Sequence, residues 1–373
     1  MNKKEILEIR KLFTKNDHVI RKMCACYVDA EKNIVSTFND SFHALSEGDS
    51  FKYLDLFKQT LSGSLGKNLL NMEFPLDEEK EGGKAEFLYR LKQSQLNDTA
   101  LVEEFFNRII ENYDYNMNYY ITLIYAVYDV PGRSSDGEEM FDASDSTYDY
   151  ILCSICPVNL SKAGLSYNIA DNIFEERTRD WIVNPPQNGF LYPAFNERST
   201  DLHALLYYAK DVENLKPEFI ENVLGSYTPI GAKSQKSEFN AIISSALGDE
   251  CEFDTVVSLH TALNEMLEES KENTEPLTLS SYDVKNLLEK SGVEPEQTAT
   301  IEQDFEENVG KDTTFLASNV AATRTFDIKT PDVIIKVNPD KADLIEKRII
   351  DGRACLVIEI NDGLSVNGID VKI

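Results

Sequence analysis

The residues best suited to recognition chemistry are concentrated between positions 177 and 198. This stretch holds the single tryptophan of the chain, two consecutive prolines and several arginines beside aromatic residues. Tryptophan, tyrosine and arginine contribute strongly to protein interfaces because they combine contact area with hydrogen-bonding groups. The alternative is a core hairpin whose arginines pair with some of the many acids. We predict a binding surface made of Arg177, Arg179, Trp181, Phe190, Tyr192 and Arg198.

A second candidate site is a pair of carboxylates near the C-terminus. Asp332 follows a proline directly before a strand-like run, and Glu359 lies on a later run of the same kind. Two carboxylates on adjacent strands can hold Mg²⁺ and activate a water molecule. The lysine expected two residues after the glutamate in a nuclease core is absent, since position 361 is Asn. A metal-dependent, nuclease-like hydrolase is therefore our alternative function.

Two pairs of cysteines could hold a metal or exchange electrons, namely Cys24 with Cys26 and Cys153 with Cys156. Both pairs lie in apolar, strand-like runs. Residues three apart in a strand face opposite sides, so Cys153 and Cys156 share a ligand only at a bulge or a strand end. Buried free cysteine behaves as a small apolar residue. We expect core packing for these side chains, and we predict no metal site and no cofactor.

Neither the histidines nor the glycine-rich turn at residues 63–68 completes a catalytic motif. The four histidines are scattered, and none lies beside a paired carboxylate in the sequence. A Walker-type phosphate loop requires glycine at position 61, which is Leu, and serine or threonine at position 68, which is Asn. We therefore expect a helix end followed by a turn here.

The composition constrains the class of partner. The 373 residues include 65 acidic and 37 basic side chains, a net charge of −28, while 42% are hydrophobic, enough to form a core. Binding to nucleic acid or to an anionic membrane needs clustered positive charge, which this balance disfavours. We expect a non-enzymatic interaction protein whose partner is a protein with a basic surface.

The start of the chain predicts its location. Its first residues are charged and lack the apolar stretch of a signal peptide. The chain also lacks an apolar run near the ~20 residues that a membrane-spanning helix needs. We therefore expect a cytoplasmic protein without a membrane segment, whose cysteines stay reduced.

Periodicity predicts an α+β fold, with helices and strands in separate runs. We expect a domain of mixed or antiparallel sheet and helices over residues 1–225, then a helical segment and a small C-terminal sheet over residues 226–373. The predicted helices cover residues 2–15, 49–62 and 98–112, four stretches between 234 and 308, and 340–348. The predicted strands cover residues 19–28, 33–38, 118–130 and 148–158 and four runs after 325, with a mobile loop over 131–147.

Several segments are specific to one group of sequences: MNKKEILEIRKLFT, CYVD, LSGSLGKNLLNMEFP, ILCSICPVNLSKAGLSYN, RTRDWIVNPPQNGFLYPAFNERS, IDGRACLVIEIND and VNGIDVKI. On these segments the whole chain resembles the domain of unknown function 4317 family, a set of bacterial proteins. The resemblance implies a bacterial cytosolic protein with one shared architecture. It supplies no catalytic residues.

Overall fold

The computed structural model describes residues 1–14, 19–133, 139–248, 251–271, 273, 275–310, 313–323, 325–361, 363–366 and 369–371, with the backbone alone at 133 and 139–145. The chain separates into two compact units, Met1–Gly231 and Ala232–Ile373. Among the described residues, no helix is long and apolar enough to cross a membrane.

The first unit contains helices and strands in separate runs. Its helices are α1 (Lys3–Lys11), α2 (Glu47–Thr60), α3 (Lys84–Gln93) and α4 (Thr99–Asn112), with a 3-10 turn at Phe42–Ala44 and a π-helical turn at Phe219–Leu224. Its strands are β1 (Ile20–Val28), β2 (Ile34–Ser41), β3 (Leu69–Glu73), β4 (Tyr119–Arg133), β5 (Glu139–Leu160), β6 (Leu165–Asn168), β7 (Ile173–Glu176), β8 (Trp181–Val183), β9 (Asn188–Tyr192), β10 (Ala194–Asn196), β11 (Ser199–Asp201) and β12 (Ala204–Ala209).

The main sheet of this unit has the strand order β2-β1-β4-β5-β9-β12-β3, with β8 attached to β5. All of these neighbours pair antiparallel. Since side chains alternate between the faces of a strand, the apolar residues of each central strand supply both faces of the sheet. The burial of every residue in β9 and β12 shows that both faces are covered.

Two hydrophobic clusters form on these faces. One joins the sheet to α3, α4 and the π-helical turn, through residues such as Phe105 and Phe219. The other joins it to α1 and α2, through residues such as Ile9 and Phe57. The first unit is therefore a three-layer arrangement with an antiparallel sheet in the middle.

The second unit is built from short helices and two-stranded sheets. Its helices are α5 (Ala232–Leu247), α6 (Phe253–Glu269), α7 (Ser281–Lys290), α8 (Ile301–Asn308) and α9 (Ala317–Val320), with a 3-10 helix at Pro339–Leu344. Its strands are β13 (Thr278–Leu279), β14 (Phe315–Leu316), β15 (Phe326–Lys329), β16 (Ile334–Val337), β17 (Ile345–Ile350), β18 (Arg353–Ile358), β19 (Leu364–Val366) and β20 (Ile369–Val371). These eight strands form four two-stranded sheets: β13 with β14, β15 with β16, β17 with β18, and β19 with β20.

The α+β fold class is confirmed, and most predicted elements lie where periodicity placed them. A capping box begins α7, since the side chains of Ser280 and Asp283 each accept from the other residue's backbone N–H group. The turn after α2 does not approach a phosphate loop. Asn68 donates from Nδ2 to the carbonyls of Ala209 and Lys210, at 3.1 and 3.2 Å. It therefore joins the turn to the end of β12.

Two expected elements are wrong, and one observed helix was not anticipated. The predicted loop over 131–147 is largely strand, because β4 reaches Arg133 and β5 begins at Glu139, and residues 134–138 lie outside the described part. Backbone N–H and C=O groups can bond between two strands whether or not the side chains are apolar. The polar composition of this segment therefore wrongly indicated a loop. The predicted helix at 340–348 is a 3-10 helix followed by β17. Helix α3 was not predicted.

Candidate functional site

A β-ribbon formed by residues 158–183 extends from the end of the main sheet. The first residue of β4, Tyr119, lies opposite Pro157 of β5. The backbone N–H of Val158 then donates to the carbonyl of Asn118, the residue before β4. From there β5 pairs instead with β8, with Leu160 opposite Trp181. The pairing continues through Ser161 N to Asp180 O at 2.8 Å.

The ribbon ends in the β6–β7 hairpin, which has one apolar and one mainly polar face. Arg177 N donates to Gly164 O at 2.9 Å, and beyond this bond Tyr167 lies opposite Phe174. Directly opposed residues of an antiparallel pair point to the same side, as do residues two apart in one strand. Leu165, Tyr167 and Phe174 therefore share a face with Glu176, and we call it the apolar face of the hairpin after its three apolar members.

The apolar face of the hairpin is open to solvent. Leu165 is 74% exposed and Phe174 is 71% exposed, although the Tyr167 and Phe174 ring centroids are 5.3 Å apart. The opposite face is held by polar contacts, including Asn168 Nδ2 to Glu175 Oε1 at 2.8 Å. A two-stranded hairpin is marginally stable unless its apolar face is covered. Large exposed apolar patches are one feature of interaction surfaces.

Strand β8 adds a second exposed apolar segment at the base of the ribbon. Trp181, Ile182 and Val183 are all exposed, at 56%, 45% and 39%. Successive residues of a strand point to opposite faces, so side chains on both faces of β8 remain accessible to solvent. The exposed surface therefore continues from the hairpin to β8.

The two arginines nearest to Trp181 lie on the same ribbon. Arg179 donates from Nε to the carbonyl of Ser161 at 2.7 Å, which links the two strands. Arg177 is exposed, and its backbone N–H belongs to the ladder. Of the predicted binding residues, Arg177, Arg179 and Trp181 are thus brought together on one exposed element.

The other three predicted binding residues lie elsewhere, which corrects the single surface expected from the sequence. Phe190 and Tyr192 are buried on β9, where the helices cover both faces of the sheet. Arg198 donates to Glu8 at 3.1 Å and to the carbonyl of Pro131 at 3.1 Å, and so connects α1 to β4. Sequence proximity did not distinguish a covered strand from an exposed one.

The hairpin residues were missed by sequence reasoning. The signal was the alternation of Leu165, Ser166, Tyr167 and Asn168 after Gly164, which is typical of a half-buried strand. Such a pattern predicts that one face will be covered. In the structure, that face is exposed.

The carboxylates of the hydrolase hypothesis lie beside strands of different sheets. Asp332 lies between β15 and β16, which pair with each other, whereas Glu359 follows β18, which pairs with β17. The hypothesis assumed adjacent strands. Within the described ranges, no group of three or more His, Cys, Asp or Glu side chains is placed to hold a metal ion. The hydrolase stays a prediction that no observed contact favours.

Four of the six cysteines are thiols in apolar surroundings. Cys24, Cys26, Cys153 and Cys156 are buried, and Cys24 and Cys26 have pKa values raised to about 11, chiefly by desolvation. Burial also raises the pKa values of Cys153 and Cys156. Only a thiolate is strongly nucleophilic, so burial makes these groups unreactive at neutral pH.

One histidine has a carboxylate partner that the sequence did not reveal. His203 Nδ1 lies 2.8 Å from Glu79 Oε1, and both residues line a hollow of about 230 Å³ with the rings of Tyr89 and Tyr192. The hydrogen bond that the His203 ring donates to the Glu79 carboxylate raises the pKa of His203. The residues are 124 positions apart, so spacing carried no signal of their contact.

These observations define an α+β protein with an exposed, amphipathic β-ribbon on its N-terminal unit. The family model described as a domain of unknown function (DUF4317) matches residues 1–369, and the chain belongs to that family. No curated protein matches the chain.

Proposed function

We propose that the protein is a non-enzymatic interaction protein that docks a partner protein through the ribbon at residues 158–183. The exposed apolar face of the hairpin carries this proposal. Fully burying a large apolar side chain contributes roughly 1.5–3 kcal/mol, so covering several of them stabilises a complex substantially. The exposed β8 segment with Trp181 enlarges the same contact area.

Charge selects the kind of partner. The tip of the ribbon, residues 165–176, contains Asp171, Glu175 and Glu176 and no lysine or arginine, whereas Lys162, Arg177 and Arg179 lie nearer its base. A basic partner complements this charge, and electrostatic complementarity speeds association and excludes like-charged proteins. A second copy of the chain brings a net charge of −28, which opposes self-association. The occupant is therefore a protein with an apolar contact area bordered by lysine and arginine.

Site-specific crosslinking in the native host tests the docking. A photo-reactive p-benzoylphenylalanine replaces Tyr167 on the hairpin or, as a matched control, Tyr227, which is 76% exposed outside the ribbon. We expect the chain labelled at Tyr167 to give a discrete adduct with one basic protein. The Tyr227 position should not give this adduct.

Direct binding of the purified partner to the full chain completes the test. We expect Phe174→Ser to weaken the complex at least tenfold, because Phe174 lies on the apolar face of the hairpin. Tyr227→Ser should leave the complex unchanged, because Tyr227 lies outside the ribbon. Added salt should weaken the complex, because exposed charges are screened. Equal adducts from both positions, a crosslinked homodimer, or a complex insensitive to Phe174→Ser would refute the proposal.

A further inference from the structure

A polar pocket of about 580 Å³ lies where β1, β2 and β4 meet the turn between α3 and α4. This volume is in the range of small-molecule sites. The pocket is lined by Arg21, Lys22, Asn39, Asp40, Ser41, Gln95, Asn97, Tyr125 and Val127.

An irregularity in β1 brings the two cations together. Ile20 lies opposite Ala126 and Lys22 lies opposite Tyr125, so β1 has one extra residue at this point. Regular alternation would direct Arg21 and Lys22 to opposite sides of the sheet. A β-bulge interrupts that alternation and re-aims a side chain. Both cationic residues consequently line the same pocket.

The opposite wall is also held in an unusual backbone conformation. Gln95 and Leu96 have φ angles of 53° and 61°, in the left-handed region that non-glycine residues disfavour. Leu96 is fully buried and anchors the turn, while the Gln95 side chain hydrogen-bonds to Tyr125. Strained backbone of this kind is concentrated at ligand sites.

The polar groups of the pocket are mainly donors. The Asn97 Oδ1 atom accepts from Lys22 Nζ at 3.0 Å, so the NH₂ group is the part of this amide that can donate to a ligand. Likewise the Asn39 Oδ1 atom accepts from the Cys24 thiol at 3.4 Å, leaving the Asn39 NH₂ group as the donor. The guanidinium of Arg21 presents a fork of donors that matches an oxyanion.

The charge of the lining residues is positive on balance, which is unusual in this acidic chain. The lining residues include two cations, Arg21 and Lys22, and one carboxylate, Asp40. Asp149 accepts from Tyr125 at 3.3 Å, but its charge is offset by the buried Lys92 at 3.0 Å. Desolvation and Asp149 raise the pKa of Tyr125 to about 12, so this side chain remains a neutral phenol at pH 7.

We propose that this pocket binds a small polar molecule through a phosphate or carboxylate group, with Arg21 as the main contact to the oxyanion. The amide groups and Asp40 then hold the hydroxyl groups of the ligand. The proposal concerns a site separate from the ribbon and does not depend on partner docking.

Isothermal titration of the full chain in a phosphate-free, low-salt buffer tests the proposal. The probes are ribose 5-phosphate, citrate and uncharged ribose. We expect ribose 5-phosphate or citrate to bind and ribose not to bind. A hydrogen bond to a charged group corresponds to a change of about ten- to a hundredfold in Kd, so Arg21→Gln should weaken binding by that factor. Arg21→Lys should weaken it less, since it keeps the charge and loses the fork.

Lys52→Gln is the matched control, because it removes one positive charge from an exposed position on α2. It should leave the Kd unchanged, whereas Asn97→Ala should weaken binding as a second pocket variant. If neither anion binds, if ribose binds equally well, or if Arg21→Gln has no greater effect than Lys52→Gln, the pocket is not an oxyanion site. Circular dichroism of each variant verifies that it is folded.

Discussion

His203 and Glu79 form a hydrogen-bonded pair, with 2.8 Å between Nδ1 and Oε1. The carboxylate stabilises the protonated imidazole, and Asp201 adds to this effect, so the pKa of His203 lies above its usual 6.5. We expect a measurable titration above that value in an NMR experiment on the His203 ring protons. Glu79→Gln should lower the pKa, whereas Glu103→Gln, at an exposed position on α4, should not. An unchanged pKa in the Glu79 variant would contradict the assignment.

The same pair makes stability depend on pH in a defined direction. Because the folded-state pKa of His203 is raised, the pair stabilises the fold fully below the unfolded-state pKa of about 6.5. This contribution is lost as the pH rises through the folded-state pKa. Glu79→Gln should therefore reduce the free energy of unfolding more at pH 5.5 than at pH 9, as measured by urea denaturation. A loss that is equal at both pH values would exclude this linkage.

Gly189 allows α2 to pack closely on the sheet. A Cβ atom at this position would lie 2.4 Å from the carbonyl oxygen of Cys153 and 2.6 Å from Thr60 Cγ2. Thr60 Oγ1 is also 2.7 Å from Ser154 Oγ, which fixes this contact. We expect Gly189→Ala to reduce the free energy of unfolding by about 1–3 kcal/mol, because a packed core yields little.

Gly164→Ala is the control for that substitution, since nothing lies within 4 Å of a Cβ atom there. Its effect should be small or stabilising, up to about 1 kcal/mol, because alanine restricts the unfolded chain. Urea denaturation of both variants compares the two sites. Equal stability of the two variants would show that the contact at Gly189 is not tight.

Truncation of two phenylalanines should change the free energy of unfolding by very different amounts. Phe190 is fully buried, whereas Phe174 is 71% exposed. We expect Phe190→Ala to cost about 3–5 kcal/mol of folding free energy. Phe174→Ala should change it by less than about 0.5 kcal/mol. A large loss in the Phe174 variant, detected by chemical denaturation, would mean that the hairpin packs on its own unit.

The six cysteines should fall into two reactivity groups. Cys251 is exposed and Cys355 is partly exposed, whereas the other four are buried. Ellman's reagent should therefore modify Cys251 and Cys355 in the folded protein and the other four after denaturation. A Cys251→Ser variant should lose the fastest phase. Rapid modification of Cys153 or Cys156 in native buffer would contradict their burial and would revive the redox interpretation.

The local elements were largely predictable from sequence. The apolar spacing of α2 and α4 and the cap of α7 depend on neighbours within one or two turns. The strands β1 and β2 follow from two apolar runs around a short polar turn. The length of the β4–β5 hairpin was not predictable, because its outer segment is rich in acidic, serine and glycine residues, and the composition does not reveal the backbone hydrogen bonds of this segment.

The candidate sites were less predictable, because each depends on which surfaces are covered. Trp181 and Phe190 lie in similar apolar runs, yet one is exposed on β8 and the other is buried on β9. The Arg21 pocket requires a bulge and a strained turn, and neither has a strong signal in the residue types. The contact of His203 with Glu79 joins residues far apart in the chain.

The sequence by itself determined the α+β class, the acidic balance, the family resemblance and most helices and strands. Those properties follow from composition and from interactions between near neighbours. The tertiary structure alone decided which apolar strands are covered, which cations converge on one pocket and which histidine meets a carboxylate. The physical reason is that strand order and helix packing are long-range, and burial is a property of the assembled layers.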